Sequence, residues 1–83
     1  IKMEDNKMEI ANTMYRALEA QFNSELLNAK SSLLVYFNSA VGIGEHPQHL
    51  EEMDKLMDQM ATAQDKLEIL QTHFSKFSED LNN

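Results

Sequence analysis

The stretch Val41-Gly42-Ile43-Gly44-Glu45-His46-Pro47-Gln48-His49-Leu50 holds both glycines and the only proline of the chain. Glycine adopts left-handed backbone conformations without strain, so Gly42 is suited to end a helix. Proline is suited to the first turn of a helix, because its missing N–H has no partner to bond there. The stretch therefore predicts a first helix that ends near residue 41, a turn over 42–46, and a second helix that begins near 47.

Upstream of this turn, apolar residues recur three or four positions apart, as they do on one face of a helix. The pattern starts after Asn6, which with Glu9 resembles a capping box, so the first helix is predicted over about 6–41. At Glu25 the apolar repeat slips by one residue, which predicts a local change in supercoiling. The predicted seam residues are Met8, Ala11, Tyr15, Leu18, Phe22, Leu26, Ala29, Leu33, Tyr36 and Ala40.

Downstream of the turn, the second helix, about 47–80, shows a regular heptad pattern. Together the two helices predict an all-α fold, an antiparallel two-helix hairpin with coiled-coil-like packing that forms a single domain over 1–83. The two apolar rows of the second helix are Met53, Met60, Leu67, Phe74 and Leu81, and Leu56, Ala63, Leu70 and Phe77.

The first helix carries more apolar side chains than one seam can bury. A two-helix monomer would leave the remainder in water, so we predict that two hairpins dimerise into a four-helix bundle. The alternative is a different protein that covers the same face. The methionines among these residues suit both adaptable binding surfaces and core packing. The residues assigned to this self or partner interface are Leu26, Leu27, Leu33, Leu34, Tyr36, Phe37, Met53, Met57 and Met60.

Negative charge is concentrated in the second half of the chain. Residues 1–41 carry five acidic and four basic side chains, whereas residues 42–83 carry nine and three. This charge disfavours direct binding to nucleic acid or to anionic membranes, and it favours a basic protein surface as partner. A row of carboxylates can also imitate phosphates, although Lys55 and Lys66 interrupt this row. The predicted acidic face comprises Glu51, Asp54, Asp58, Asp65 and Glu68.

The sequence contains no recognisable catalytic pattern. Cysteine is absent, and the serines lie in no nucleophile motif. His46 and His49 lie three residues apart, but their surroundings do not match the Glu-x-x-His motif of di-iron bundles, so we assign them to solvated positions in the turn and at the N-terminus of the second helix. We therefore expect no enzymatic activity, no metal, no cofactor and no small-molecule substrate. The longest apolar run, Leu33–Phe37, is too short to cross a bilayer, and we expect a cytoplasmic protein.

The segments Asn38–Pro47 and Leu50–Leu56 resemble small uncharacterised helical proteins encoded by T4-like phages, including those of marine cyanobacteria. The resemblance implies a phage accessory protein in the host cytoplasm and carries over no site residues. The leading hypothesis is a non-enzymatic, self-associating protein–protein interaction module that acts on a host or phage protein. The alternatives are an acidic nucleic-acid mimic that inhibits a DNA-binding enzyme and a small structural subunit of a larger assembly.

Overall fold

The computed structural model describes the backbone of residues 3–43 and 47–78 and the side chains of residues 7–39 and 48–78. Helix α1 spans Met3–Ile43 and helix α2 spans Pro47–His73, and a short 3-10 helix, Ser75–Ser78, follows. The two helices pack along each other over a molecule measuring 65 × 19 × 15 Å. No strand occurs in the part of the chain that the structure describes. The predicted all-α hairpin is confirmed.

The helix boundaries near the turn and the N-terminus differ partly from the predicted ones. Helix α1 already includes residues 3–5, so the predicted capping-box start at Asn6 is wrong. It also continues through Gly42, which therefore does not end it. Helix α2 begins at Pro47 as predicted, because the fixed φ angle of proline matches the first helical turn. The rest of the predicted turn, residues 44–46, lies outside the described residues.

Helix α2 ends at His73, whereas the heptad pattern predicts a helix to about residue 80. Residues 72–78 are Thr, His, Phe, Ser and Lys types, which include few strong helix formers. Serine also bonds to nearby backbone groups outside helices, as the Ser78 hydroxyl does by donating to the Ser75 carbonyl at 2.6 Å. The chain therefore leaves the helix, and Phe77 is carried by the 3-10 helix. Residues 79–83 lie outside the described part.

Burial along α1 follows an uninterrupted seven-residue repeat. Leu18, predicted in the seam, is 41% exposed, while the neighbouring Glu19 is half-buried. The predicted slip at Glu25 is therefore wrong. A glutamate is tolerated beside the seam because its methylene groups can pack while its carboxylate reaches water. The two rows of buried or half-buried seam residues are Asn12, Glu19, Leu26 and Leu33, and Tyr15, Phe22, Ala29 and Tyr36.

The seam of α2 is the predicted one along its helical length. Ala29 on α1 and Ala63 on α2 have no exposed surface. Small side chains at such positions let two helices approach closely, because interaxial distance depends on the residues at the contact. Among the described residues, the buried core comprises Tyr15, Ala29, Leu33, Ala63, Leu67 and Leu70.

Two side chains of α1 bind the backbone of the C-terminal 3-10 helix. Asn12 Nδ2 donates to the Phe77 carbonyl at 2.9 Å, and Arg16 Nη2 donates to the Ser78 carbonyl at 3.1 Å. The end of a helix leaves carbonyl groups without intrahelical partners, so these two bonds cap the end of the 3-10 helix. They also tie the C-terminal end of the hairpin to the N-terminal part of α1.

Replacing Asn12 by alanine should lower the free energy of unfolding by about 0.5–1.5 kcal/mol, because a partly buried carbonyl loses its hydrogen bond. Urea unfolding at one fixed protein concentration measures the change. The matched control is Asn28→Ala, which removes an exposed amide from the same helix. An equal effect of both substitutions would show that the bond to Phe77 contributes nothing specific.

Candidate functional site

Most of the large apolar side chains that the structure leaves exposed form two surfaces, one near the turn and one at the opposite end. We call the first the turn-proximal patch. Its side chains range from 49% exposed at Leu34 to 71% exposed at Leu50. Exposed apolar groups clustered in this way mark interaction sites more often than single exposed residues do. The turn-proximal patch comprises Leu27, Leu34, Phe37, Leu50 and Met57.

The turn-proximal patch crosses both helices. Leu27 and Leu34 lie seven residues apart on α1, and Leu50 and Met57 lie seven residues apart on α2. Each pair therefore lies on one row of its helix. The rings of Tyr36 and His49 pack edge to face with centroids 5.8 Å apart, so these residues lie opposite each other across the seam. Phe37 and Leu50 follow them directly. In an antiparallel pair, equivalent flanking positions lie on the same face, so these two apolar side chains extend one surface.

The second surface is a groove of about 530 Å³ between the two helices at the end away from the turn. We call it the distal groove. Phe77, held by Asn12, lies at its outer end. The side chain of Lys66 also lines it, and its Nζ lies 5.6 Å from the centroid of the Phe22 ring. The apolar side chains that line the distal groove include Met14, Leu18, Phe22, Ile69, Phe74 and Phe77.

The two surfaces lie on opposite faces of the hairpin. Each residue of the turn-proximal patch comes directly after a seam residue, as Leu34 does after Leu33. The residues that form the walls of the distal groove come directly before a seam residue. Leu18 precedes the seam residue Glu19, and Ile69 precedes the seam residue Leu70. Successive residues advance about 100° around a helix in the same direction. The patch and the groove are therefore separate surfaces that one flat interface cannot cover.

The nine residues predicted to form an interface divide between the seam and the surface. Leu33 is buried, and Leu26, Tyr36, Met53 and Met60 are half-buried within the hairpin itself. The other four are exposed members of the turn-proximal patch, namely Leu27, Leu34, Phe37 and Met57.

Leu50 is not among the residues that the sequence predicts for the interface, although its row also holds Met57. The distal groove is not predicted either, since the heptad pattern predicts that Phe74 and Phe77 continue a straight helix.

The five predicted residues of the acidic face are all exposed on α2. The lysines predicted to interrupt this row have other neighbours. Lys55 Nζ lies 3.3 Å from Glu52 Oε1, and Lys66 lies over Phe22. An exposed ion pair of this kind contributes little stability. The position of the two lysines matters more, because Lys55 lies beside Glu52 and Lys66 lies over the Phe22 ring, and neither Glu52 nor Phe22 belongs to the acidic face.

The described histidines have aromatic neighbours. His49 is half-buried in α2 against Tyr36, so the prediction of a solvated His49 is wrong. His73 packs beside Phe74 with ring centroids 6.4 Å apart. Within residues 3–43 and 47–78, no group of three or more His, Asp or Glu side chains is placed to hold a metal ion. His46 and Glu45, considered with His49 from the sequence, lie outside the described residues.

The described helices contain no segment with the length and apolarity needed to cross a membrane. Comparison of the chain with protein-family models, with curated proteins and with solved structures finds no match. The turn-proximal patch, the distal groove and the acidic face are the surfaces of the hairpin that bear on its function.

Proposed function

We propose that this chain is a non-enzymatic protein–protein interaction module that dimerises through its turn-proximal patch and presents its acidic face to a basic partner. The single observation that carries the proposal is the patch itself. It places five large apolar side chains, each about half exposed or more, on one face of a thin hairpin. Such a surface gains free energy when it leaves water, in proportion to the apolar area covered.

The overall surface area supports self-association. The chain exposes 6638 Å², whereas a compact monomer of 9.6 kDa exposes about 5,100 Å². Its radius of gyration is 18.4 Å, against about 12 Å for a compact domain of this length. A standard interface covers about 800 Å² on each partner, which is well within the excess. Two hairpins paired by a twofold axis would form the four-helix bundle.

The acidic face supports a basic protein surface as the further partner. All five carboxylates are exposed, and neither Lys55 nor Lys66 lies against them. Complementary charge accelerates association and selects the orientation of binding more than it adds affinity. The resemblance to phage proteins makes a host or phage protein in the host cytoplasm the partner we propose. A structural subunit of a larger assembly would use the same patch.

Light scattering over a tenfold dilution series tests the dimer. We expect a molar mass of about 19 kDa, twice the 9.6 kDa of the chain, that holds across the series. We expect this dimer mass because a monomer would leave the turn-proximal patch exposed to water. A constant mass near 9.6 kDa would contradict self-association and would leave the patch to a different protein.

Mimicry of nucleic acid is a second candidate, and the row of exposed carboxylates along α2 favours it. From Glu51 to Glu68 the row extends about 26 Å at the helical rise, long enough to present carboxylates to several phosphate-binding positions. Duplex DNA should then compete with the protein for a captured partner. The variant Asp54→Asn/Asp58→Asn/Asp65→Asn should release that partner. A partner that DNA does not displace would exclude mimicry and favour binding through another surface.

A further inference from the structure

We propose that the distal groove binds a long-chain carboxylic acid, with the acyl chain along its apolar floor and the carboxylate beside Lys66. This site is independent of the proposed dimer, because it lies on the opposite face of the hairpin. Its ligand is a small amphipathic anion rather than a protein.

The size and lining of the groove fit an apolar chain. Its volume of about 530 Å³ lies within the range of about 300–1,000 Å³ that is typical of small-molecule sites. The floor is formed by buried seam residues such as Tyr15 and Leu70, and the walls by Leu18 and Ile69. Each methylene group that enters such a lining gains transfer free energy, so affinity should rise with chain length.

The charge of the groove fits a carboxylate. Lys66 is the charged side chain among the lining residues, and its Nζ lies 5.6 Å from the Phe22 ring centroid. Among the described residues, the ion pair within 4 Å joins Lys55 and Glu52, so no described carboxylate oxygen lies within 4 Å of Lys66 Nζ. A lysine ammonium beside an apolar surface is complementary to a ligand with one anionic head and an apolar tail.

The groove is held in shape by contacts that do not depend on a ligand. The Asn12 amide bonds the carbonyl of Phe77, and the Phe77 N–H bonds the carbonyl of Phe74 at 3.0 Å. The aromatic end of the groove is therefore fixed against α1. Pre-formed sites of this kind bind without a large ordering cost.

The excess surface area of the hairpin is larger than the area that the proposed dimer interface would cover. The exposed area exceeds that of a compact monomer by about 1,500 Å². One standard interface covers about 800 Å² per partner, which is roughly half of that excess.

The test is calorimetric titration of the full chain with dodecanoate, below its micelle concentration, and with dodecanol. We expect dodecanoate to bind once per chain and more tightly than the alcohol. Lys66→Gln should weaken the binding of dodecanoate about three- to fivefold and leave the binding of dodecanol unchanged. This is the effect expected from the loss of one partly exposed ion pair. Lys30→Gln is the matched control, since Lys30 is an exposed lysine that follows the seam residue Ala29 on the opposite face and does not line the groove.

A second variant, Leu18→Asp, places a carboxylate in the groove wall and should abolish binding of both ligands. Leu18 is 41% exposed, so the hairpin should keep its helical circular dichroism. The dimer mass should also persist. Absence of dodecanoate binding to the original chain would overturn the site while leaving the dimer intact. Loss of the dimer in Leu18→Asp would show that a second copy occupies the groove. Equal weakening of both ligands by Lys66→Gln would refute the carboxylate contact.

Discussion

Replacing Leu67 by alanine is expected to lower the free energy of unfolding by about 2–5 kcal/mol. Leu67 is 8% exposed in the middle of the α2 seam, where its removal leaves a cavity between two helices. The loss includes the transfer free energy of the deleted atoms and the contacts that the cavity walls no longer make. Domains of this kind have a total stability of about 5–15 kcal/mol, so a large share of the folded state depends on this side chain.

The matched control is Ile69→Ala, two residues further along the same helix. Ile69 is 53% exposed, so the same kind of truncation should lower the free energy of unfolding by less than about 1 kcal/mol. Urea unfolding followed by circular dichroism compares the variants at one protein concentration, because self-association makes apparent stability concentration-dependent. Similar losses in Leu67→Ala and Ile69→Ala would mean that the α2 seam is not the core of the folded protein.

Replacing Leu34 by aspartate is expected to weaken dimerisation by at least about 100-fold, which corresponds to about 2.7 kcal/mol. Leu34 lies in the turn-proximal patch and is 49% exposed in the single hairpin. A twofold dimer carries the substitution twice. Each new carboxylate would be buried without a partner, which costs about 3–5 kcal/mol for a fully buried charge. Light scattering should then show the mass of one chain at concentrations where the original protein is a dimer.

Val35→Asp is the control for this experiment. Val35 is the next residue on α1 and is 65% exposed, but it comes directly before the seam residue Tyr36 and so lies on the opposite face. It adds the same charge to the same helix, and the dimer mass should persist. Dissociation by both substitutions would point to general charge repulsion instead of a specific interface. A dimer that survives Leu34→Asp would exclude the turn-proximal patch as the interface.

A dimer built on the turn-proximal patch would carry two copies of each remaining surface. In such a dimer the two distal grooves would lie on the faces turned away from the patch, while the acidic face occupies exposed positions of α2. The module could therefore engage two partner sites at once, and the second contact would form at the effective concentration set by the first.

The local pattern of the sequence determined the hairpin and the core of α2. Gly and Pro occur only between residues 41 and 48, so the reversal could be located without any knowledge of packing. The heptad rows of α2 identified Ala63, Leu67 and Leu70, all of which are buried. The acidic face followed from the same periodicity, because side chains opposite an apolar seam face water.

Only the tertiary structure decided which residues of α1 face the seam. Hydrophobicity selected Leu18, yet Glu19 is half-buried beside α2, and the seam continues without a slip. A helix with apolar residues over a wide arc offers several faces for packing, and its partner helix determines which one is used. Asn12 could not be assigned from sequence either, because its bond to Phe77 joins residues 65 positions apart.

The end of α2 and the distal groove were decided in the same way. A continued heptad pattern favoured a longer helix, but weak helix formers and contacts from Asn12 and Arg16 hold residues 75–78 in a 3-10 helix. That change places Phe77 at the end of the groove. Local periodicity determines which elements form, whereas their ends and the surfaces between them depend on contacts between residues distant in sequence.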